Sequence, residues 1–367
     1  MTPRVLFVGR GRLKLPLAPW LAKKWDALSE VLDLRVLNAG FGTGDDRFRM
    51  LPDLAPAFYS RLPIEIARSL RSIEPHVVVA SDPYIGAAAL GGRRLARSRT
   101  KIIVEVHGDP RTLTRGYGSP TRRLLSPLTD AVARRGLLHA DATRGLSGFT
   151  SSLIEDVRGV PATACFPTYS DLTAFTDPPL QPVPDDKQVV FVGALEQYKN
   201  VDGLAAAWRR VAAEVPDAKL VIIGKGSRSQ VVEDLVSDLP GQVTHHAELL
   251  PPDVAAAIDS SRALVLPSWP EGLGRVVLEA FARGRTAVAT NAGGIRDIVT
   301  DGVDGILIPV ADTGALAAAL RVVFDNKELA VRLGAAAHVT YGPWHQTPAQ
   351  FARSYRELVD RVIDGAR

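Results

Sequence analysis

Short apolar runs, each followed by a stretch with helical periodicity, recur along this chain and constrain its fold more than any other feature. In the first half they fall at 5–8, 35–38, 77–81 and 102–106, with a further short strand pattern at 141–146. In the second half they fall at 189–192, 219–223, 243–246, 263–266, 286–290 and 305–308. The intervening helical patterns include 17–32, 62–73, 85–96, 124–139, 202–214, 231–238, 252–260 and 276–282. Strands that apolar, separated by helices, predict parallel sheets covered on both faces. The fold class expected is α/β, with doubly wound, Rossmann-like sheets. Ligands of such sheets bind outside the carboxyl ends of the strands.

The alternation is interrupted once. Residues 170–188 carry Pro178, Pro179, Pro182 and Pro184, which exclude helix and central strand. At 367 residues the chain also exceeds one ordinary core. The organisation expected is a first domain over 1–176, a second over 177–345, and a terminal helix in 346–367 packing back on the first. Two such domains facing across a cleft would place the ligand between them.

Composition narrows the class of protein. A content of 46% hydrophobic and 23% charged residues is that of a folded globular chain. No run of 18 apolar residues offers a membrane span, and the N-terminus reads as a strand and not a signal peptide. The single cysteine, Cys165, is expected as a small core residue in a reducing compartment. A cytoplasmic location is expected. Net charge is +8 over residues 1–180 and −4 over the remainder, with Arg10, Arg12, Lys14, Lys23 and Lys24 near the start. That asymmetry suits an anionic partner, whether a phosphorylated acceptor or the inner face of an anionic membrane touched peripherally. It fits scattered solvated charge as well.

Residues 268–294 carry the chemistry. A loop with Gly272 and Gly274 follows the strand 263–266 and opens the helix 276–282. Bare backbone N–H groups at the positive end of a helix dipole suit a phosphate. Glu271 and Glu279 lie eight residues apart. That spacing corresponds to a rise of about 12 Å in a helix, too far to share a proton but suited to an elongated ligand. Arg275, Glu279 and Arg283 at i, i+4 and i+8 also fit a solvated salt-bridge stripe, and the spacing leaves both readings open.

Other strand ends add candidates. Gly9-Arg10-Gly11-Arg12 reads as a loop after the first strand. Lys14 stands where a dinucleotide loop has its third glycine, and the following strand ends in Asn38 and not an acid, which argues against a redox Rossmann domain. His107 ends a strand beside Gly108 and Asp109, where a switchable hydrogen-bonding group is useful. Lys199, after the strand 189–192, and Gly224-Lys225-Gly226, after 219–223, supply cations at strand ends. His245-His246 lacks a third ligand at metal spacing, so no metal site is expected.

In order and spacing, FVGALEQYKNVDGLAAAW, KLVIIGKGSR, LLPPDVAAAIDSSRALVLPSWPEGLGRVVLEAFARG and AVATNAGGIRDIVTDGVDGILIPVAD resemble glycosyltransferase family 4, retaining enzymes of the GT-B fold. The resemblance is strong over 189–325 and weak before it, through Gly9 and VEVHGD. It implies a metal-independent enzyme with no cofactor that uses a nucleotide-diphosphate sugar, a UDP or GDP sugar, as co-substrate. It matches Glu271 and Glu279 to the family's E-x7-E motif, the first by the donor sugar and the second on the ribose hydroxyls. It places the diphosphate on the N–H groups of Gly272, Leu273 and Gly274, with Lys199 as the phosphate lysine and His107 near the reacting sugar. Catalytic roles are thereby implied for His107, Lys199 and Glu271.

The donor set implied comprises Gly9, Gly11, Gly193, Lys199, Gly224, Lys225, Arg228, Glu248, Leu249, Glu271, Gly272, Leu273, Gly274, Arg275 and Glu279, the base lying against backbone near Glu248 and Leu249. Arg10, Arg12 and Asp109 are expected to face the acceptor. One departure stands out. Many members carry arginine after the glycine of the 193 loop, and here Gly193 is followed by Ala194. Arg228, Lys225 or Arg275 is expected to substitute. The alternatives are a sugar-nucleotide epimerase on the same fold and a basic nucleic-acid-binding protein. The second lacks basic stretches interleaved with aromatics, so no nucleic-acid partner is expected.

Overall fold

The computed structural model describes residues 1–53, 57–111 and 126–365. The chain divides into two compact units, Met1–Asp171 with Gln346–Arg367, and Leu172–His345. Leu172 and Phe175 belong to the second core, which is why the division falls ahead of the proline-rich stretch.

The first unit is built on a seven-stranded parallel sheet. Its strands are β1 (Arg4–Lys14), β2 (Asp33–Phe41), β3 (Phe48–Leu51), β4 (Val77–Ala80), β5 (Lys101–Val106), β6 (Ala142–Gly145) and β7 (Ala164–Cys165), in the order β3-β2-β1-β4-β5-β6-β7. Alternate residues of one strand supply two cores, as the period of two requires. Leu6, Val8, Val78 and Ala80 pack with Leu62, Ile66 and Leu90, from helices α2 (Ala57–Ile73) and α3 (Pro83–Ala96). Val5, Phe7, Val77 and Val79 pack with Trp25 and Leu28 of α1 (Pro19–Val31). Helices α4 (Ser126–Leu138) and α5 (Gly148–Arg158) follow, the latter started by Ser147 and Thr150 in a reciprocal capping box. Leu124 and Leu125 of the expected helix lie outside the described residues.

The second unit repeats the topology with six parallel strands. These are β8 (Gln188–Val192), β9 (Lys219–Ile223), β10 (Val243–His246), β11 (Ala263–Leu266), β12 (Thr286–Thr290) and β13 (Gly305–Ile308), in the order β10-β9-β8-β11-β12-β13. Its helices are α6 (Thr173–Thr176), α7 (Val201–Glu214), α8 (Ser229–Asp238), α9 (Pro251–Asp259), α10 (Arg275–Ala282), α11 (Ile295–Ile298), α12 (Thr313–Asp325) and α13 (Lys327–Thr340). The last helix, α14 (Pro348–Ile363), returns to the first unit, where Phe351, Tyr355, Leu358, Val359 and Val362 line the core beside α1. A Thr347–Gln350 capping box starts it.

Three expectations are corrected. Gly9-Arg10-Gly11-Arg12 is not a loop: β1 runs on to Lys14, with a shift in register between Gly9 and Leu13. Asn38 spans the shift, its Nδ2 donating to the carbonyls of Gly11 at 2.5 Å and Ala39 at 2.7 Å. Cys165 is exposed and not in the core, because β7 is a two-residue edge strand. Residues 170–188 are not wholly irregular, since α6 (Thr173–Thr176) forms ahead of the four prolines. Arg283 and Arg285 are each 1% exposed and donate to the carbonyls of Pro178 (2.7 Å), Pro179 (2.8 Å), Gln181 (3.0 Å) and Pro182 (2.9 Å). Arg262 donates likewise to Asp185 and Asp186. Backbone that proline and irregular geometry deny to secondary structure is thus satisfied by buried guanidinium groups.

Candidate active site

In the second sheet β8 and β11 are neighbours, and the chain leaves them to opposite sides, so the loops after them flank a topological switch point. After β8, a single 3₁₀ turn, Gln197–Lys199, ends at Asn200 in the left-handed region and leads into α7. Lys199 Nζ lies 2.7 Å and 2.8 Å from the two carboxylate oxygens of Glu271, in the loop after β11. Their side chains are only 9% and 12% exposed. The Trp269 N–H donates to the Tyr198 carbonyl at 2.7 Å, joining the two loops through backbone as well. Gly193 lies against the lysine stem, where a Cβ would stand 3.4 Å from Lys199 Cε, an ordinary packing distance.

The N-terminus of α10 lies just beyond. Gly274 occupies its cap position in the left-handed region and brings no side-chain cap, so the first-turn N–H groups of α10 receive no side-chain acceptor from that position. The 271–274 loop rests directly on Gly293 and Gly294. A Cβ on Gly293 would stand 2.4 Å from the Glu271 carbonyl, and one on Gly294 2.2 Å from that of Gly272. The Gly294 N–H donates to the Glu271 carbonyl at 2.8 Å. The pair Gly293-Gly294 therefore supports the loop, a role that the sequence reading left unassigned.

The two readings of the α10 charges now separate. Arg275 Nε lies 3.1 Å from Glu279 Oε1, so that pair forms. Glu279, however, is only 6% exposed, and burial raises its pKa, with Arg275 and Lys199 opposing the shift. Arg283 leaves the stripe entirely and pairs with Asp259 at 2.7 Å. One buried carboxylate with one exposed arginine is not a solvated stripe.

The candidate substitute cations are all engaged. Lys225 pairs with Glu248 at 2.5 Å and Arg228 with Asp202 at 3.3 Å, while Arg275 holds Glu279. The β9 loop is tied to the β8 loop: Gly224, at φ +148°, would carry its Cβ 1.9 Å from the Gly193 carbonyl. The Arg228 N–H donates to the Leu195 carbonyl at 2.7 Å, beside Ala194. Glu248 is exposed, and Leu249 packs partly against the core. Among the described residues no group of three or more His, Cys, Asp or Glu is arranged to hold a metal.

The first unit carries its own cluster. His107 follows β5, with Nε2 3.2 Å from Oε2 of Glu105. Glu105 is 5% exposed and is held by Arg144 of β6 and Tyr355 of α14. Burial works against its charge, yet Arg144 and the hydrogen bonds from His107 and Tyr355 hold its carboxyl well below the usual range. Period two on one strand was the available signal, since Glu105 and His107 share a side. Gly9 faces Asn38, whose Oδ1 would lie 2.4 Å from a Cβ, while around Gly11 the space is open.

The basic residues of the first unit are also engaged. Arg10 and Arg12 both pair with Asp53, at 3.2 Å and 2.6 Å, and Arg10 lies 5.1 Å from the Tyr59 ring centroid. Asp109 chelates Arg111 at 2.9 Å. Lys23 pairs with Asp171 at 2.8 Å. The half-buried Lys24 lies over Trp25 and Phe351, its pKa lowered to about 8 by desolvation.

Residues 175–339 match the family described as Glycosyl transferases group 1, and residues 15–167 match Glycosyl transferase 4-like domain. The chain belongs to glycosyltransferase family 4. The first match contains Lys199, Glu271 and Glu279, and the second contains His107. Among curated family members, it is 31% identical over 188 residues to D-inositol 3-phosphate glycosyltransferase of Paenarthrobacter aurescens, covering 49% of this chain and 46% of that protein. It is 30% identical over 198 residues to phosphatidyl-myo-inositol mannosyltransferase of Mycolicibacterium smegmatis, covering 52% and 51%. The chain thus spans about half the length of the curated relatives it matches. Two solved structures share the GT-B fold over nearly its whole length. Sucrose-phosphate synthase from Thermosynechococcus elongatus superposes with TM-score 0.75 at 18% identity, covering 98% of this chain and 99% of that one. Anabaena HepE in complex with UDP-glucose gives 0.74 at 15%, covering 98% and 100%.

Proposed function

We propose that this family 4 protein is a retaining, metal-independent glycosyltransferase that moves a hexose-type sugar from a UDP or GDP sugar to a hydroxyl acceptor. The observation that carries the reading is the buried Lys199–Glu271 pair at the switch point, beside the α10 N-terminus. Departure of a nucleoside diphosphate needs its growing negative charge met by fixed positive groups. Lys199 and the N–H groups of Gly272, Leu273 and Gly274 supply them, assisted by the helix dipole. Donor phosphate competes with Glu271 for Lys199, which frees the carboxylate to accept from a sugar hydroxyl. Glu279 takes the ribose hydroxyls, as the resemblance implies.

The same resemblance gives His107 a hydrogen bond to the transferring sugar, with the acceptor attacking from the face the diphosphate leaves. The β-phosphate oxygen then takes the acceptor proton. The acceptor belongs to the first unit, near Arg10, Arg12 and Asp109, and carries an anionic group on a soluble molecule or a lipid head. Relatives named as acting on inositol phosphate and on phosphatidylinositol support an acceptor of that kind. No helix among the described residues is long and apolar enough to cross a membrane, and peripheral contact is the form of membrane association this reading includes.

The test is product analysis by NMR with UDP- and GDP-hexoses and phosphorylated polyol acceptors. A glycoside with the donor's anomeric configuration, formed only with acceptor present, is expected. An inverted product overturns retention. Turnover of the sugar nucleotide to an isomer without acceptor replaces the reading with the epimerase alternative, which neither family match supports.

A further inference from the structure

The side chains around Glu105 form a closed set drawn from four elements of the first unit. On β5, Glu105 Oε2 faces His107 Nε2 at 3.2 Å. Its other oxygen, Oε1, accepts from Arg144 Nη1 of β6 and from the Tyr355 hydroxyl of α14. Arg144 is itself fixed, donating to the Phe166 carbonyl at 2.9 Å and to the Tyr355 hydroxyl at 3.0 Å. The Lys24 ammonium of α1 interacts electrostatically with Glu105 and Arg144, and Asp82, which caps α3 by accepting from the Ile85 N–H at 2.8 Å, interacts likewise with His107. Glu105, Arg144 and Tyr355 are each 5% exposed or less, whereas the His107 side chain is 43% exposed.

An ionised carboxylate only accepts hydrogen bonds. With Arg144 beside it, Glu105 stays ionised, so the His107 nitrogen that meets it must carry the proton. The geometry points to Glu105 as a positioning residue for His107: it fixes the ring with Nε2–H turned inward and Nδ1 turned outward, and the C-terminal helix holds Glu105 in place through Tyr355. The outward Nδ1 of the neutral ring is then an acceptor for a sugar hydroxyl and becomes a donor only in the imidazolium. A helix some 250 residues away in sequence thus sets which hydrogen bond the histidine offers. The inference rests on the reading in which His107 contacts the transferring sugar, and it adds a residue that this reading did not contain.

The test combines a spectroscopic and a kinetic readout on the full chain. Wild-type protein is expected to show an exchange-protected Nε2–H proton resonance from His107 in ¹H–¹⁵N spectra, assigned by its loss in His107→Ala. Glu105→Gln removes the charge. Glu105→Asp keeps a carboxylate beside Arg144 and withdraws it from His107, so it preserves the fold if the first variant does not. In each variant that retains the wild-type melting profile, the resonance is expected to broaden into solvent exchange. The kcat is expected to fall about ten- to a hundredfold at nearly constant KM, as when a metal-bound histidine loses its carboxylate partner. A resonance that survives both substitutions overturns the inference, whatever the rate does. A resonance lost with kcat unchanged also overturns the catalytic consequence. His107→Ala then tells the two failures apart, since full activity there refutes the role of His107 itself and not the geometry around it.

Discussion

Lys199 Nζ sits 2.7 Å from Glu271 Oε1, a nearly buried ion pair that joins residues 72 apart in sequence across the switch point of the second sheet. The lysine meets both carboxylate oxygens, at 2.7 Å and 2.8 Å.

Replacing Lys199 alone should therefore damage both folding and turnover. Lys199→Met strands Glu271 in a site only 12% exposed. Breaking such a pair from one side costs about 3–5 kcal/mol. The double variant Lys199→Met, Glu271→Gln should regain most of that stability in urea melts. Its kcat should stay down by about two to three orders of magnitude, the size of losing one charge-stabilising group. Recovery of activity along with stability would show the pair to be purely structural.

Glu279→Gln should separate binding from folding in the opposite sense. Burial raises the Glu279 pKa, so the folded state holds this proton more tightly than the unfolded chain does. The sign follows from linkage: stability from this group is present at low pH and is lost as pH climbs from the ordinary value of 4.5 towards the raised one. Glu279→Gln should flatten that part of the stability–pH curve and leave neutral-pH stability equal or higher. Donor KM should rise sharply. Equal loss of stability and affinity would return Glu279 to a structural role.

Arg228 is one of the three candidates, with Lys225 and Arg275, to stand in for the cation missing at Ala194. Its backbone N–H already bonds the neighbouring Leu195 carbonyl, and its guanidinium meets Asp202 at an exposed 3.3 Å. Exposed pairs of that kind contribute about 0–1 kcal/mol, so Arg228→Ala should barely move the melting temperature. Donor affinity should fall about tenfold by titration calorimetry. Unchanged affinity there, and in Lys225→Ala and Arg275→Ala, would mean that no side chain replaces the arginine.

The arginine straps predict where the second unit gives way. Arg283→Ala leaves Asp259 without its 2.7 Å partner and frees the carbonyls of Pro178 and Pro179. Hydrogen bonds to charged donors are worth about 1.5–3 kcal/mol each. Loss of at least 3 kcal/mol is expected, with new proteinase K cleavage within residues 175–186. Cleavage elsewhere would show the straps to be incidental.

Much of this was legible in the sequence. The apolar runs at β4, β5, β8, β11 and β12 are buried on both faces, so they read as strands without further help. Glu271, Glu279 and Lys199 were found through the motifs around them, but the contact between Lys199 and Glu271 was not, because no local spacing encodes a meeting of loops on opposite sides of a switch point. β3, of sequence FRML, escaped because it is a half-buried edge strand with no apolar run. The continuation of β1 past Gly9 escaped because residues 9–14, GRGRLK, carry no apolar run, and the hydrogen bond from Asn38 to Gly11 comes from the neighbouring strand. Tyr355 escaped because its partner, Glu105, lies at the other end of the chain. Arg283 looked like a surface charge, since helical spacing shows neither the proline carbonyls nor Asp259.

The most direct measurement of the central claim is nucleoside-diphosphate binding by thermal shift, with UDP, GDP, ADP and TDP each titrated against wild type and Lys199→Met. Saturating ligand at a hundred times its Kd should stabilise the wild type by about 2.7 kcal/mol. The account predicts a clear rise with UDP or GDP that the Lys199→Met protein loses by at least tenfold in apparent Kd. No rise with any of the four, or equal affinity in the Lys199→Met protein, would contradict it.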